Sequence, residues 1–236
     1  RQRQMCIRDR NKEAQELCGP TICSPSANGM PYQTVGSLHL DFDGISNYND
    51  YYRDLDIAKA IATTRFTTNG VTYTREAYTS FPDQVLVIRL TASQKKSISF
   101  TAKYTTPYKS NVVRSISSRK ELQLSGKAND HEGIEGKVEF TALTRIENNG
   151  GSLEATSDST LQVKNANSVT LYVSIGTNFV NYKDVSGNAL STAQKYLKQV
   201  NKNYAKNKAA HINAYQKYFN RVSLDLSLIH ISEPTR

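Results

Sequence analysis

Two β-rich runs, IATTRFTT (Ile61–Thr68) and VTYTREAYTS (Val71–Ser80), are separated by nothing but Asn69-Gly70. Both central positions of a two-residue hairpin turn need positive φ, which Asn and Gly tolerate better than other residues, so this stretch predicts a tight β-hairpin. The hairpin opens a series. Strand-sized runs recur at residues 84–91 (QVLVIRLT), 97–104, 122–127, 137–146, 159–163 and 168–176. Pro82-Asp83, residues 93–96, Asn148-Asn149-Gly150-Gly151 and residues 165–167 read as the breaks between them. No helical crossover lies between these runs to support a parallel sheet, so antiparallel sheets packed as a sandwich are expected, with a barrel as the alternative.

The flanks follow a different grammar. Residues 11–17 (NKEAQEL) read as the end of a helix stopped by Gly19-Pro20, and a polar loop, SPSANGMP, follows at residues 24–31. In residues 37–42 (SLHLDF) apolar side chains fall on alternate positions, which puts His39 on the solvent side of a half-buried strand. Near Asp184 the period changes. Ser191 reads as an N-cap, Ala193, Leu197, Val200 and Tyr204 recur at helical spacing, and Ala210, His211, Tyr215, Tyr218/Phe219 and Val222 repeat the pattern. Two amphipathic helices or one kinked helix would lay these aromatics partly on the sandwich, with His211 as a packing or capping residue.

Read backwards into codons, the two ends share an origin. RQRQMCIRDR (Arg1–Arg10) and LSLIHIS (Leu226–Ser232) are translations of one short DNA element in opposite orientations, which resembles a transposase adapter of sequencing libraries. Residues 1–10 and 226–236 are therefore expected to be dispensable and unstructured, and are set aside from fold reasoning. The net charge of +9 then falls to about +6, because the first tail carries four Arg and one Asp while Glu233 and Arg236 cancel in the last. Much of that surplus sits between Lys195 and Lys217, as on a solvated helix face. No nucleic-acid-binding motif accompanies it, so no nucleic-acid partner is expected. No apolar run is long enough for a membrane span. With Cys6 assigned to the tail, Cys18 and Cys23 remain; their five-residue spacing in CGPTIC fits neither a redox nor a zinc motif.

Candidate chemistry is sparse. The densest acidic stretch is Asp130-His131-Glu132-Gly133-Ile134-Glu135-Gly136, where a His and a Glu could act as an acid–base pair. It lies between predicted strands and contains the glycines of a turn, so an exposed loop is expected and Glu132 is set aside as a catalytic acid. Asp41-Phe42-Asp43-Gly44 with residues 47–50 offers hard oxygen ligands but lacks the calcium-loop pattern. No residue is assigned a catalytic, cofactor-binding or metal-ligating role, and no cofactor is expected.

Five segments taken in order carry a resemblance: residues 30–42 (MPYQTVGSLHLDF), 51–92 (beginning YYRDLDIAKA), 131–142 (HEGIEGKVEFTA), 177–188 (TNFVNYKDVSGN) and 209–226 (AAHINAYQKYFNRVSLDL). Together they resemble the amino-terminal domain of glycoside hydrolase family 95, the α-L-fucosidase family. The resemblance implies a mainly-β antiparallel sandwich of the supersandwich type over residues 11–182, truncated at its start, and an α-helical linker over 183–225. It further implies an (α/α)6 catalytic barrel beyond this chain, with a Glu acid and an Asp base that invert α-1,2-linked fucosides. None of those residues matches a position here. The expectation is thus an inactive piece of an exported glycosidase that meets fucosylated glycans through its full-length parent and packs against the catalytic barrel of the same chain. A related α-L-galactosidase and a stand-alone carbohydrate-binding sandwich are the alternatives; against the last, the chain has no Trp, although its 14 Tyr could substitute.

Overall fold

The computed structural model describes residues 11–22, 32, 34–42, 44–45, 47–109, 111–117 and 120–224. The adapter-like tails, the second cysteine of CGPTIC, Asp43 and the SPSANGMP loop lie outside the described residues. The described residues of 1–34 group with 128–137 as one compact unit, and the remainder forms a second, larger one.

In the first unit, helix α1 runs Asn11–Ile22. It continues through Gly19-Pro20 where the sequence predicted a stop. Pro20 forfeits a single i→i−4 bond in the last turn, with only two residues after it, so the helix tolerates what would break its middle. Cys18 on this helix is an exposed free thiol.

Among the described residues the second unit holds twelve strands, all paired antiparallel: β1 Ser37–Asp41, β2 Asn49–Asp56, β3 Ile61–Thr68, β4 Val71–Ser80, β5 Val85–Ala92, β6 Ile98–Thr105, β7 Val112–Ile116, β8 Leu122–Lys127, β9 Glu139–Asn149, β10 Ser152–Ser157, β11 Thr160–Ala166 and β12 Ser168–Thr177. They form a four-stranded sheet, β1-β6-β11-β10, and an eight-stranded sheet, β2-β3-β4-β5-β12-β9-β8-β7. The sandwich is confirmed over the barrel. The predicted hairpin is β3–β4, with Thr68 opposite Val71 and positive φ at Asn69 (50°) and Gly70 (74°). Strands β2, β7 and β10 had no clean alternation to announce them. Residues 165–167, read as a turn, instead lie mostly within β11: Asn165 takes φ 54° at a bulge that shifts the register against β6 between Val163 and Ala166.

Two helices follow, α2 Ala189–Gln199 and α3 Tyr204–Phe219. The N-cap of α2 is Asn188 rather than Ser191. Asn188 Oδ1 accepts the Ser191 N–H at 2.7 Å, which places Ser191 one turn inside the helix. Asn203 caps α3 in the same way through the Lys206 N–H.

Both helices lie on the eight-stranded sheet, on the face away from the four-stranded one. Each central strand of the large sheet is therefore buried on both sides, and its sequence reads as an apolar run rather than an alternation. In β5, Val85 and Val87 point to the helices while Ile88 and Leu90 point into the sandwich. In β12, Val169 and Leu171 fill the sandwich and Tyr172 faces the helices. Gly176 is a packing requirement: a Cβ there would stand 2.2 Å from the Ala189 carbonyl oxygen, so only Gly lets α2 lie this close to the end of β12.

Candidate functional site

The acidic loop proves to be a small closed turn. His131 and Ile134 exchange backbone hydrogen bonds of 3.0 and 2.9 Å around Glu132 (φ 48°) and Gly133 (φ 79°), and Asp130 Oδ1 accepts the Gly136 N–H at 2.9 Å. Asp130 is thus consumed in shaping the turn. His131 Nε2 lies 3.8 Å from Glu132 Oε1, beyond hydrogen-bond reach, and both side chains are well solvated. This geometry supplies no oriented acid–base pair.

Of the acidic turn after β1, Asp41 is described and Asp43 lies outside the described residues. Asp41 faces outward from the small sheet and pairs with Lys103 on β6 at 2.7 Å. His39 projects from the same exposed side, as the alternation predicted. Among the described residues no group of three or more His, Cys, Asp or Glu side chains stands close enough to hold a metal ion.

The largest polar constellation lies where α3 meets the sheet, and sequence reasoning passed over most of its members. Tyr78 OH donates to Asn207 Oδ1 (2.8 Å), Asn207 Nδ2 donates to Asp83 Oδ2 (2.9 Å), and Ser80 Oγ donates to the same carboxylate oxygen (2.5 Å). Beside them Glu76 accepts from Tyr204 OH and from Lys208 Nζ, each at 2.6 Å. Arg89 reaches Thr170 Oγ1 at 2.6 Å and Ser168 Oγ at 2.9 Å, and its guanidinium lies 5.2 Å from the centre of the Tyr204 ring. His211 stacks on Tyr78 with ring centres 4.6 Å apart. Its Nε2 lies 3.0 Å from the Lys59 carbonyl oxygen and 3.3 Å from that of Ala60; since carbonyls only accept, Nε2 carries the proton.

Burial sets the protonation of these groups. It pushes the Tyr172 phenol up to about 12, and raises Tyr78 and Tyr204 further, Tyr204 also because its hydroxyl already donates to a carboxylate. Desolvation alone would raise Glu76, but the hydrogen bonds from Lys208 and Tyr204 outweigh it and hold the carboxyl below its ordinary value. Every carboxylate in the network is engaged by donors from another element or turn. Arg145 completes the set, pairing with Glu121 at 2.8 Å and donating to the Leu197 carbonyl, one of the acceptors left over at the end of α2. Chemically this is a clasp. His211 has the packing role expected of it. Asn207 and Asp83 carried no signal in the sequence, because an Asn in a Lys-rich stretch and an Asp after Pro82 both read as solvent-facing.

A cleft of ≈ 270 Å³ opens on the other face of the large sheet, between β1 and the β3–β4 hairpin. Leu40 and Phe42 border it from one side, Phe66, Tyr73 and Arg75 from the other, and Leu90 and Ile98 form its floor.

Comparison with known proteins assigns this arrangement to a lineage. Alpha-L-fucosidase 2 of Arabidopsis thaliana is 29% identical over 237 residues, an alignment that covers 85% of this chain and 27% of the relative. Probable alpha-fucosidase A of Aspergillus oryzae is 23% identical (83% of this chain, 28% of the relative), and that of Aspergillus niger 25% identical (83% and 26%). The chain therefore spans about a quarter of the length of the curated relatives it matches. Among solved structures, a putative kojibiose phosphorylase from the human microbiome matches with a TM-score of 0.45 at 15% identity, covering 73% of this chain and 25% of that one, a likeness too weak to argue from. The family model described as glycosyl hydrolase family 65, N-terminal domain, matches residues 2–182. That match takes in most of the chain, and the chain belongs to this family of glycosyl hydrolase N-terminal domains.

Proposed function

We propose that this chain is the non-catalytic amino-terminal part of an inverting α-L-fucosidase of glycoside hydrolase family 95. Residues 11–182 are its β-sandwich region and 183–225 the helical linker to a catalytic barrel that lies outside the chain; residues 1–10 and 226–236 are adapter-encoded. The observation that carries the reading is the similarity to three fucosidases over 83–85% of this chain against 26–28% of theirs. The site geometry supports it. Inverting hydrolysis needs two carboxyl groups about 6.5–9.5 Å apart across the glycosidic bond, with room for a water. Of the carboxylates that are held by side-chain bonds here, Glu76 and Asp83 are instead committed to bonds that fasten α3 to the sheet, and Glu121 to an ion pair with Arg145, which itself donates to the Leu197 carbonyl of α2. Fucosylated glycans are substrates of the parent, which is exported.

The test is an assay of the purified chain beside the longer protein of the same reading frame on 2′-fucosyllactose and other fucosylated glycans. Fucose should be released by the longer protein alone. Turnover by this chain that disappears in Glu132→Gln would overturn the reading and move the active site to the acidic turn. A longer protein that cleaves only α-L-galactosides would keep the domain assignment and change the substrate.

A further inference from the structure

On the helix-bearing face of the large sheet, a row of opposed residues crosses three strands. Val113 on β7 lies opposite Ser125 on β8, Ser125 opposite Thr141 on β9, and Thr141 in turn opposite Gly176 on β12. Opposed residues of antiparallel pairs share a face, so these side chains stand next to one another. Gly176 is the point where α2 sits down on the sheet. The helix therefore rises beside Thr141 as a wall, and the strands beyond it form the floor of a cleft of ≈ 390 Å³. Residues 187–190, with the N-cap Asn188 among them, make the wall; Gln123, Lys127 and Glu139 complete the floor. Its polar groups are held in a fixed order. Gln123 Nε2 donates to Ser125 Oγ at 3.0 Å, and Ser125 Oγ shares a hydrogen with Thr141 Oγ1, also at 3.0 Å. The backbone of Glu139 is pinned by Asn178, whose Oδ1 accepts its N–H at 2.8 Å. Lys127 stands directly opposite Glu139, so the lining carries one cation and one anion. Val113, 63% exposed, and Leu190 place hydrocarbon beside these groups.

We infer that this cleft binds a neutral pyranose sugar of a glycan, with Gln123, Ser125 and Glu139 holding its hydroxyls and Val113 receiving its C–H face. The choice of a sugar rests on the proposed reading of the longer protein as a glycosidase; the lining supplies the matching chemistry. A sugar hydroxyl both donates and accepts, and so do a Gln carboxamide and a Ser hydroxyl, while the Glu139 carboxylate adds an acceptor. The balance of charge selects against ions: an anion would meet Glu139 and a cation would meet Lys127. The volume falls within the range of about 300–1,000 Å³ typical of small-ligand sites. A sheet floor and a capped helix wall exist before the ligand arrives, so little ordering is needed on binding. Among the lining residues Glu139 is the only carboxylate, so the cleft holds a sugar without hydrolysing it.

Titration of the isotope-labelled chain with 2′-fucosyllactose and with L-fucose, read from backbone amide shifts, tests the inference. Saturable shifts should gather at Val113, Ser125, Thr141 and Leu190, and sodium sulfate should not displace them. Gln123→Ala should weaken binding severalfold, and Val113→Asp, at an exposed position, should weaken it as well. Arg65→Ala, near the opposite edge of the large sheet, should leave it unchanged. Shifts that fail to saturate, or that gather elsewhere, overturn the inference. Displacement by sulfate assigns the cleft to an anion and overturns it too, as do shifts at these residues that follow protein concentration without sugar, which assign it to a second copy. Fucose release by the longer protein with no sugar bound by this chain overturns the inference and leaves the proposed function standing. Sugar bound in the cleft without fucose release by the longer protein upholds the inference and sinks the proposed function.

Discussion

The two faces of the eight-stranded sheet are held by different chemistry. Toward the four-stranded sheet the core is almost wholly hydrocarbon: Ile98, Phe100, Leu122, Leu124, Leu161, Val163, Val169 and Leu171 are fully buried, and the polar exception is the Tyr104–Thr144 hydroxyl pair. Toward the helices a smaller apolar set, including Ile61, Val85, Val87, Leu143 and Leu197, is ringed by the Tyr78–Asn207–Asp83 and Tyr204–Glu76–Lys208 bonds and by Arg145. Dispersion and burial are non-directional, so two sheets can tolerate small slides against each other. A helix on a flat sheet has few ridges to fix its position, and directional bonds to named partners supply that fix. Apolar area holds the sandwich together, and polar geometry sets where the helices sit.

The comparison is broken most forcefully from the hydrocarbon side. Phe100→Ala should cost about 3–5 kcal/mol, the range for truncating a fully buried aromatic, read as a drop in the urea midpoint. Leu197→Ala, under α2, should fall near the low end of about 2–5 kcal/mol, because a helix edge relaxes into a cavity more easily than two facing sheets. Gly176→Val attacks the seat of α2 directly, since even a Cβ would meet backbone at 2.2 Å; a loss of about 1–3 kcal/mol is expected. Limited proteolysis should then cut the helices before the sandwich.

The polar clasp is expected to give smaller, more specific effects. Asn207→Ala strands the Tyr78 hydroxyl and one Asp83 interaction and should cost about 1–3 kcal/mol; adding Tyr78→Phe should recover part of that loss, which a purely apolar contact would not do. The smallest effect is a pH dependence. Glu76 is held below its ordinary 4.5, so its contribution is complete above that value and disappears as pH falls through the lower folded-state value. Glu76→Gln should flatten this acid limb of the stability profile, and Phe100→Leu should shift the profile without changing its shape.

How much of this was legible in the sequence follows from burial. The β3–β4 hairpin was readable to the residue because the demand for positive φ at Asn69 and Gly70 is local. β8 was equally clear. By contrast β2, read from NDYYRDLD, has no apolar alternation, and among the described residues both of its faces are largely exposed. The N-cap of α2 was misplaced by three residues because Asn188 and Ser191 are both competent caps, and the choice depends on where Gly176 lets the helix begin.

The sequence by itself determined the class of fold: strand-sized runs, turn chemistry and the absence of helical crossovers leave antiparallel sheets as the solution, and the late change of period requires helices. Those features depend on a residue and its near neighbours, which the sequence displays. Only the tertiary structure decided that the strands divide four and eight, that the large sheet carries helices on its second face, and that Asn207 meets Tyr78 across 129 positions of chain. Such partners are chosen by proximity in space, and a buried amide looks the same in sequence as a solvated one.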